Sequence, residues 1–270
     1  MTEPAKSRDE GFAAKPLTRI WLETASASNP YVADKAHCHG YDHLQMVSGA
    51  SFAATLFLLF KRELPTPEAE RLFERLIIAF VNPGPRHAAV RAAQTAGAGK
   101  TDPVHILPIG LSVLGGEAGS VPLAMQFLAK TVRQDPSEIA HAMPHDISDV
   151  EVESQLPGFG RCFGGADVWS ANLAHSISSN SPSTNFLHWG CTLHERLTDH
   201  KAGWLRTGVF AAALLDLGFP FRAGAVLYQL LNAPGIAAHG LEMHGLPRTA
   251  MPFLDDAHYF TDTMPSENQS

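Results

Sequence analysis

Side chains able to take, give or hold a proton gather at a few places along the chain. Arg86 and His87 follow directly on the turn Asn82-Pro83-Gly84-Pro85, where a helix resumes. An imidazole titrates near neutral pH, and a guanidinium grips a carboxylate through two parallel hydrogen bonds. Lys100, Thr101, Asp102 and His105 form a second polar cluster between two apolar segments. Such residues suit acid–base work on an anionic substrate. Other constellations fail on spacing. Gly97-Ala98-Gly99-Lys100-Thr101 ends like a phosphate loop, but Gln94 stands where the earlier glycine belongs and a helix precedes it, so a glycine-capped helix end is the plain reading. His37, Cys38, His39 and His43 are irregularly spaced for zinc, and no metal is expected. No Gly-x-Ser-x-Gly elbow is present. Cys162, beside Arg161, could be a nucleophile if that charge lowered its thiol pKa, but an inert cysteine is the simpler reading.

Helices must position these groups. Thr66-Pro67-Glu68 reads as an N-cap, a first-turn proline and an acidic residue that favours the helix dipole, with Leu72, Leu76, Ile77 and Phe80 following at helical spacing. Leu44–Phe60 reads as one buried helix, and Arg86 to Ala96 as another. Pro103–Leu114 reads as an apolar run ending at Gly115-Gly116, and Val121–Arg133 and Pro136–Met143 as shorter helices. Pro144–Gly165 reads as loop, Asp167–Ser178 and Leu187–His200 as helices, and Trp204–Leu217 as a strongly apolar helix stopped by Gly218. Arg222–Leu231 and Gly235–Met243 read as two helices separated by Pro234. Alternating strands are nearly absent, so the expected fold is all-α, with 10–12 helices joined by Pro/Gly turns.

Composition narrows the function classes. The 270 residues are 45% hydrophobic and 17% charged, which suits a folded globular chain. With 20 Lys+Arg against 27 Asp+Glu the net charge is −7, so there is no basic footprint for nucleic acid. The apolar tracts break before the ~20 residues of a bilayer span, and no membrane segment or signal peptide is expected. Three cysteines, an odd and widely spaced set, point to a reducing cytoplasm. Residues 1–16 and 260–270 read as flexible tails around a domain of residues 17–259.

Six segments, in order, resemble the citrate synthase superfamily, above all its short citryl-CoA lyase-like members. His39-Gly40-Tyr41-Asp42 is similar to its Arg-Gly-Tyr-Asp turn, and Ser51-Phe52 through Leu64-Pro65-Thr66 to the helix ending in Leu-Pro-Thr. Val81–Pro85 falls at the Asp-His-Gly segment, and Leu156-Pro157-Gly158-Phe159-Gly160 at the Pro-Gly-Phe-Gly-His loop. Leu214–Pro220 resembles a late helix pair, and Pro234–Glu242 the Gly-Trp-x-Ala-His-x-x-Glu helix. The resemblance implies an all-α homodimer with a smaller CoA-side lobe at roughly 120–200. It also implies making or breaking a C–C bond between an acyl-CoA and an oxoacid. In that family an Asp and two His do the acid–base work, arginines bind carboxylates, and the Pro-Gly-Phe-Gly backbone contacts CoA.

The expected acid–base residues are replaced. Asn82-Pro83 stands for the first Asp-His. The next His falls at Ala118 or, with a gap of one, at Glu117. Arg161 follows the Pro-Gly-Phe-Gly loop, Thr207 takes the place of the Asp base, and Trp169 replaces a substrate arginine. A threonine hydroxyl cannot act as a carboxylate base. The resemblance makes His87, Glu117 and Arg161 the candidate catalytic groups. It makes Asn82, Arg86, Lys100, His239 and Arg248 candidate substrate ligands, and Pro157, Gly158, Phe159 and Gly160 the CoA-binding loop. Two functions compete. One is lyase or acyltransferase chemistry on an acyl-CoA or polycarboxylate at a rebuilt site. The other is an inactive relative serving as a binding, regulatory or partner subunit. The same residues also have a purely structural reading: Arg86 and His87 at a solvated helix start, Lys100 capping a helix, His239 a satisfied core histidine. The apolar segments Trp204–Gly218 and Arg222–Leu231 are expected to form the dimer interface.

Overall fold

The computed structural model describes residues 14–15, 17–144, 148–179, 184–252, 255 and 257. Most of residues 1–16 and all of 260–270, expected to be flexible tails, lie outside the described residues, as does the Asn/Ser/Pro stretch 180–183. The chain divides into two compact units, Met1–Arg71 and Leu72–Ser270.

The first unit holds three short strands in the stretch that leads to Tyr41. β1 (Trp21–Ala25), β2 (Ala33–Cys38) and β3 (Tyr41–Asp42) form an antiparallel sheet in that order. Trp21 pairs with Cys38, and Cys38 with Tyr41. His39 and Gly40 both take positive φ, +47° and +91°, the conformation of a two-residue hairpin turn. The strands are short and largely exposed, so the alternation that betrays a half-buried strand is missing. Leu44–Phe60 is two helices, α1 (His43–Gly49) and α2 (Phe52–Lys61), because Ser51 turns extended and its hydroxyl accepts the Ala54 N–H at 2.9 Å. Cys38, Met46 and Leu58 form the small core. α3 (Pro67–Phe80) begins where Thr66 accepts the Ala69 N–H.

The second unit holds α4 (Ala88–Ala98), α5 (Ile106–Thr131), α6 (Pro136–His141), α7 (Asp149–Gln155), α8 (Val168–Ser178), α9 (Asn185–Arg196), α10 (Arg206–Asp216) and α11 (Gly224–Gly245). Two strand pieces, β4 (Phe159–Gly160) and β5 (Gly203–Trp204), pair antiparallel, with Phe159 stacked on Trp204 at 4.3 Å. There are eleven α-helices among the described residues, so the fold is all-α.

Three segmentations change. α5 runs unbroken through Gly115-Gly116 and Pro122 because its inner face, from Ile106 through Leu114 and Val121 to Leu128, is buried throughout, and packing outweighs the ~1 kcal/mol helix penalty of a glycine. The fused helix is, by length and composition, apolar enough to cross a membrane, which the shorter tracts are not. α11 passes through Pro234, where the Gly235 N–H leaves the helical ladder and donates to the Val81 carbonyl at 2.8 Å. α7 interrupts the loop expected at 144–165, started by a capping box between Ser148 and Glu151. α10 is fully buried from Val209 to Leu214 within the chain itself, so the segment expected to form an interface is core.

Candidate active site

α4, α5, α10 and α11 pack together and each sends a polar side chain to one point. His87 is the N-cap of α4, and its Nδ1 accepts the Ala89 N–H at 3.2 Å. That leaves Nε2 as the protonated nitrogen, and it donates to Glu117 Oε2 at 2.6 Å. Tyr228, buried on α11, donates its hydroxyl to Glu117 Oε1. Arg206, at the start of α10, lies 4.8 Å over the Phe80 ring and donates to Asn232 Oδ1 at 3.3 Å. Asn232 in turn donates to the Tyr228 carbonyl at 2.8 Å. Phe80, Phe210 and Tyr228 form the aromatic floor, their ring centroids 4.8–5.8 Å apart.

The charges follow from this geometry. Burial pushes the Glu117 carboxyl up. The hydrogen bonds from His87 and Tyr228, with the positive charge of Arg206, outweigh it and hold the carboxyl below its ordinary range. Tyr228 goes the other way: burial first, then the Glu117 charge, raises its hydroxyl well above the usual value. The cluster is an ionised carboxylate fixed by an imidazole and a phenol beside a guanidinium. The Glu117 side chain keeps 34% of its surface exposed, against 15% for His87. A carboxylate has about four lone-pair sites, so Glu117 can still accept from a ligand.

Of the two positions left open at the middle of α5, Ala118 is buried and Glu117 carries the cluster. His87 and Glu117 thus come together. Other candidates do not join them. Arg161 donates from Nε to the His200 carbonyl at 2.9 Å and pairs with Asp149 at 3.1 Å, joining the loop to the start of α7. Lys100 donates to the His244 and Leu246 carbonyls, so it caps α11 rather than its own helix. Lys100, not a glycine, takes the positive φ there (+61°), with Gly99 as the C-cap of α4. Asn82 closes its own turn by accepting the Gly84 N–H, and it lines a groove of about 340 Å³ with Ile78, Trp169 and Leu173. Arg86 and Arg248 are exposed. His239 Nδ1 lies 3.7 Å from Glu242, while its Nε2 is buried without a hydrogen-bond partner, so this is not a fully satisfied core histidine.

The Pro157–Gly160 loop is held tightly. The Gly158 carbonyl accepts the Leu205 N–H at 3.0 Å, and a Cβ on Gly208 would stand 2.0 Å from that oxygen. Pro157 and Gly158 line a groove of about 390 Å³ with Ser120, Gln126 and Lys130. Cys162 is pushed up by burial, then by the charges of Asp167 and Glu117, which disfavours a thiolate nucleophile and puts the loop within electrostatic reach of Glu117. No group of three or more His, Cys, Asp or Glu suited to a metal occurs among the described residues.

Tyr228, Arg206 and Asn232 are members of this candidate cluster that the sequence pattern did not single out. Their signals were present: Arg206 adjoins Thr207 at the head of an apolar run, and Tyr228 and Asn232 share one face of α11 at i, i+4.

No family profile matches the chain, and no curated protein sequence matches it. Solved structures do. The citryl-CoA lyase of Hydrogenobacter thermophilus superposes with a TM-score of 0.73 at 20% identity, over 94% of this chain and 97% of that one. The ATP citrate lyase of Methanothrix soehngenii, in complex with citrate and coenzyme A, gives 0.68 at 20% identity over 94% of this chain. This chain spans 43% of the length of that enzyme. The citrate synthase of Thermoplasma acidophilum, in a ternary complex with carboxymethyl coenzyme A and oxaloacetate, gives 0.57 at 16% identity over 82% of this chain and 60% of that one. The chain therefore has the same all-α fold as these citryl-CoA lyase, ATP citrate lyase and citrate synthase structures. Within that fold its polar centre is the Glu117–His87–Tyr228–Arg206 cluster.

Proposed function

We propose that this protein acts on an acyl-CoA or a small polycarboxylate by C–C lyase or acyltransferase-type chemistry, at a site rebuilt around Glu117. The observation that carries the reading is an ionised, part-exposed carboxylate held at the middle of α5 by His87 and Tyr228. In the bond-making direction Glu117 takes a proton from the carbon alpha to the thioester. The electron pair released forms the new C–C bond to a ketone carbon, whose oxygen takes up a proton. In the bond-breaking direction the same steps run in reverse. His87 and Tyr228 fix the carboxylate, and Arg206 keeps it ionised. The structural neighbours described with coenzyme A and carboxylate ligands support this class of ligand. The groove beside Pro157 and Gly158, with Lys130 at its edge, is the proposed place for CoA. The reading includes a homodimer and a cytoplasmic location.

The test uses acetyl-CoA with oxaloacetate, and citryl-CoA for the reverse reaction. Glu117→Gln is expected to lower turnover by about 10²–10⁴-fold while acetyl-CoA binding persists in calorimetry. Equal turnover in the variant would remove Glu117 from the chemistry.

A second reading is favoured by one observation: both His87 ring nitrogens are occupied and Glu117 lies below its ordinary range, which makes for a weak base. On that reading the chain binds ligand without turnover, as a regulatory or partner subunit. Saturable acetyl-CoA binding with no product from either direction would select it.

A further inference from the structure

A second concentration of charge shares no residue with the Glu117 cluster. It lies where α6 packs on α9. Ala140 and His141 of α6, Glu195 and Arg196 in the last turn of α9, and Asp199 and His200 in the 3₁₀ turn Thr198–His200 line a cavity of about 320 Å³. That is the small end of the ~300–1,000 Å³ usual for ligand pockets. Such pockets are mostly apolar, yet Ala140 is the only apolar residue among the described residues that line this one. The walls are fixed before a ligand arrives. Asp135 caps α6 by accepting the Ser137 N–H at 2.9 Å, and Trp189 of α9 donates to the Gln134 carbonyl at 2.9 Å, so α9 is pinned to the foot of α6. His200 is buried, and its carbonyl accepts Arg161 Nε at 2.9 Å, which holds the turn.

The charges on these walls do not pair with one another. Among the described residues the side chains of Glu195, Arg196 and Asp199 form no hydrogen bond or ion pair, although Arg196 and Asp199 are only three apart in the chain. Charges of both signs around one hollow match a ligand that carries both. Phosphate or a dicarboxylate would meet two carboxylates of its own sign. A metal ion would meet the guanidinium, and no group of His, Cys, Asp or Glu suited to one occurs among the described residues. We propose that this cavity binds a diamino monocarboxylic acid of the lysine or ornithine type. The Arg196 guanidinium takes the carboxylate through two parallel hydrogen bonds, and Glu195 and Asp199 each take an ammonium group. The ligand carries two positive charges and one negative, the reverse of the three side chains. His141 and His200 add imidazole nitrogens that can bond an amine or a carboxylate alike.

Calorimetric titration of the full chain with L-lysine tests this. Saturable binding at one site is expected, with ornithine comparable and with glutamate and phosphate each at least tenfold weaker. Cadaverine keeps both amines and lacks the carboxylate. It is expected to bind about tenfold more weakly than lysine, the size of one lost charge-assisted contact. In Arg196→Gln that advantage of lysine over cadaverine is expected to vanish, and Asp199→Asn is expected to weaken lysine by about tenfold. Both positions are exposed, so thermal midpoints close to the wild type are expected and separate a lost ligand from a lost fold. Lysine that does not saturate, cadaverine or phosphate binding as tightly as lysine, or lysine affinity untouched by both substitutions would overturn the proposal. None of these readouts uses acetyl-CoA or turnover. Failure of the lyase chemistry therefore leaves this site standing, and failure of lysine binding leaves the lyase chemistry untouched.

Discussion

Replacing Gly208 by alanine probes how the loop proposed to hold CoA is set in place. Gly208 lies in the first turn of α10, and its missing side chain is what lets Gly158 sit against it. A Cβ there would be 2.0 Å from the Gly158 oxygen and 2.7 Å from its carbonyl carbon. Both are backbone atoms, so no rotamer can relieve the clash, and the loop must move away by about 1 Å. That movement strains the Leu205 N–H bond to Gly158 and pulls β4 from β5. Overpacking costs ~1–3 kcal/mol and the weakened hydrogen bond ~1 kcal/mol, against a gain of ~1 kcal/mol in helix propensity. The net loss is about 2 kcal/mol, which lowers Tm by roughly 4–8 °C in a chain of this size. Gly115→Ala is the control, since it carries the same propensity gain in a helix where a Cβ meets nothing within 4 Å. Thermal melts followed by circular dichroism should show Gly208→Ala below the wild type and Gly115→Ala at or above it. Calorimetry of Gly208→Ala with acetyl-CoA should show weakened binding. A melt at the wild-type temperature would refute the packing argument, and undiminished binding would remove the loop from the CoA site.

Two further outcomes follow from the charges. Asp216 accepts the Phe186 and Leu187 N–H groups, capping α9 from the end of α10, and burial pushes its carboxyl up from 3.8 to about 6 despite those bonds. Its folded pKa lies above the unfolded one, so the folded state holds the extra proton between about pH 4 and 6. The stability it lends is full below about pH 4 and is lost as pH rises through 6, by about 3 kcal/mol at ~1.4 kcal/mol per pKa unit. Urea midpoints at pH 4.5, 5.5 and 7 should show this slope in the wild type and not in Asp216→Asn; equal slopes would clear Asp216 of it. Cys162 should react with a disulfide reagent at pH 7 more slowly than a free cysteine, and Glu117→Gln should speed it by less than about tenfold by removing one of the charges that disfavour the thiolate. An unchanged rate in that variant would separate the loop from the cluster.

Local chemistry was legible wherever the deciding group lies within a few residues. Thr66-Pro67 starts α3, and Asp167 caps α8 by accepting the Trp169 and Ser170 N–H groups, as the cap residues imply. The readings that failed depend on distant partners. Gly115-Gly116 and Pro234 look like helix stops, yet α5 and α11 continue because other helices bury their faces and Val81 takes up the Gly235 N–H. The apolar run after Trp204 looks like an interface and is core, while the face left open belongs to α5, whose glycines hid its continuity.

The site follows the same logic, and a rule for finding it can be drawn from two residues. Glu117 is the single charge in the middle of α5, and Arg206 stands alone before the long apolar stretch of α10. A charge carried on an apolar helix cannot be buried without compensation, so each implies a counterpart on another element. Here the two compensate one another across Tyr228, with His87 on the other carboxylate oxygen. Lys100 and Arg161 lie in turns rather than apolar helices; Lys100 finds backbone carbonyls instead, and Arg161 a carbonyl and the exposed Asp149. What separates the candidates that meet from those that do not is thus the apolarity of the element that carries each charge, a property written in the sequence, whereas the partner each charge finds is a property of the fold.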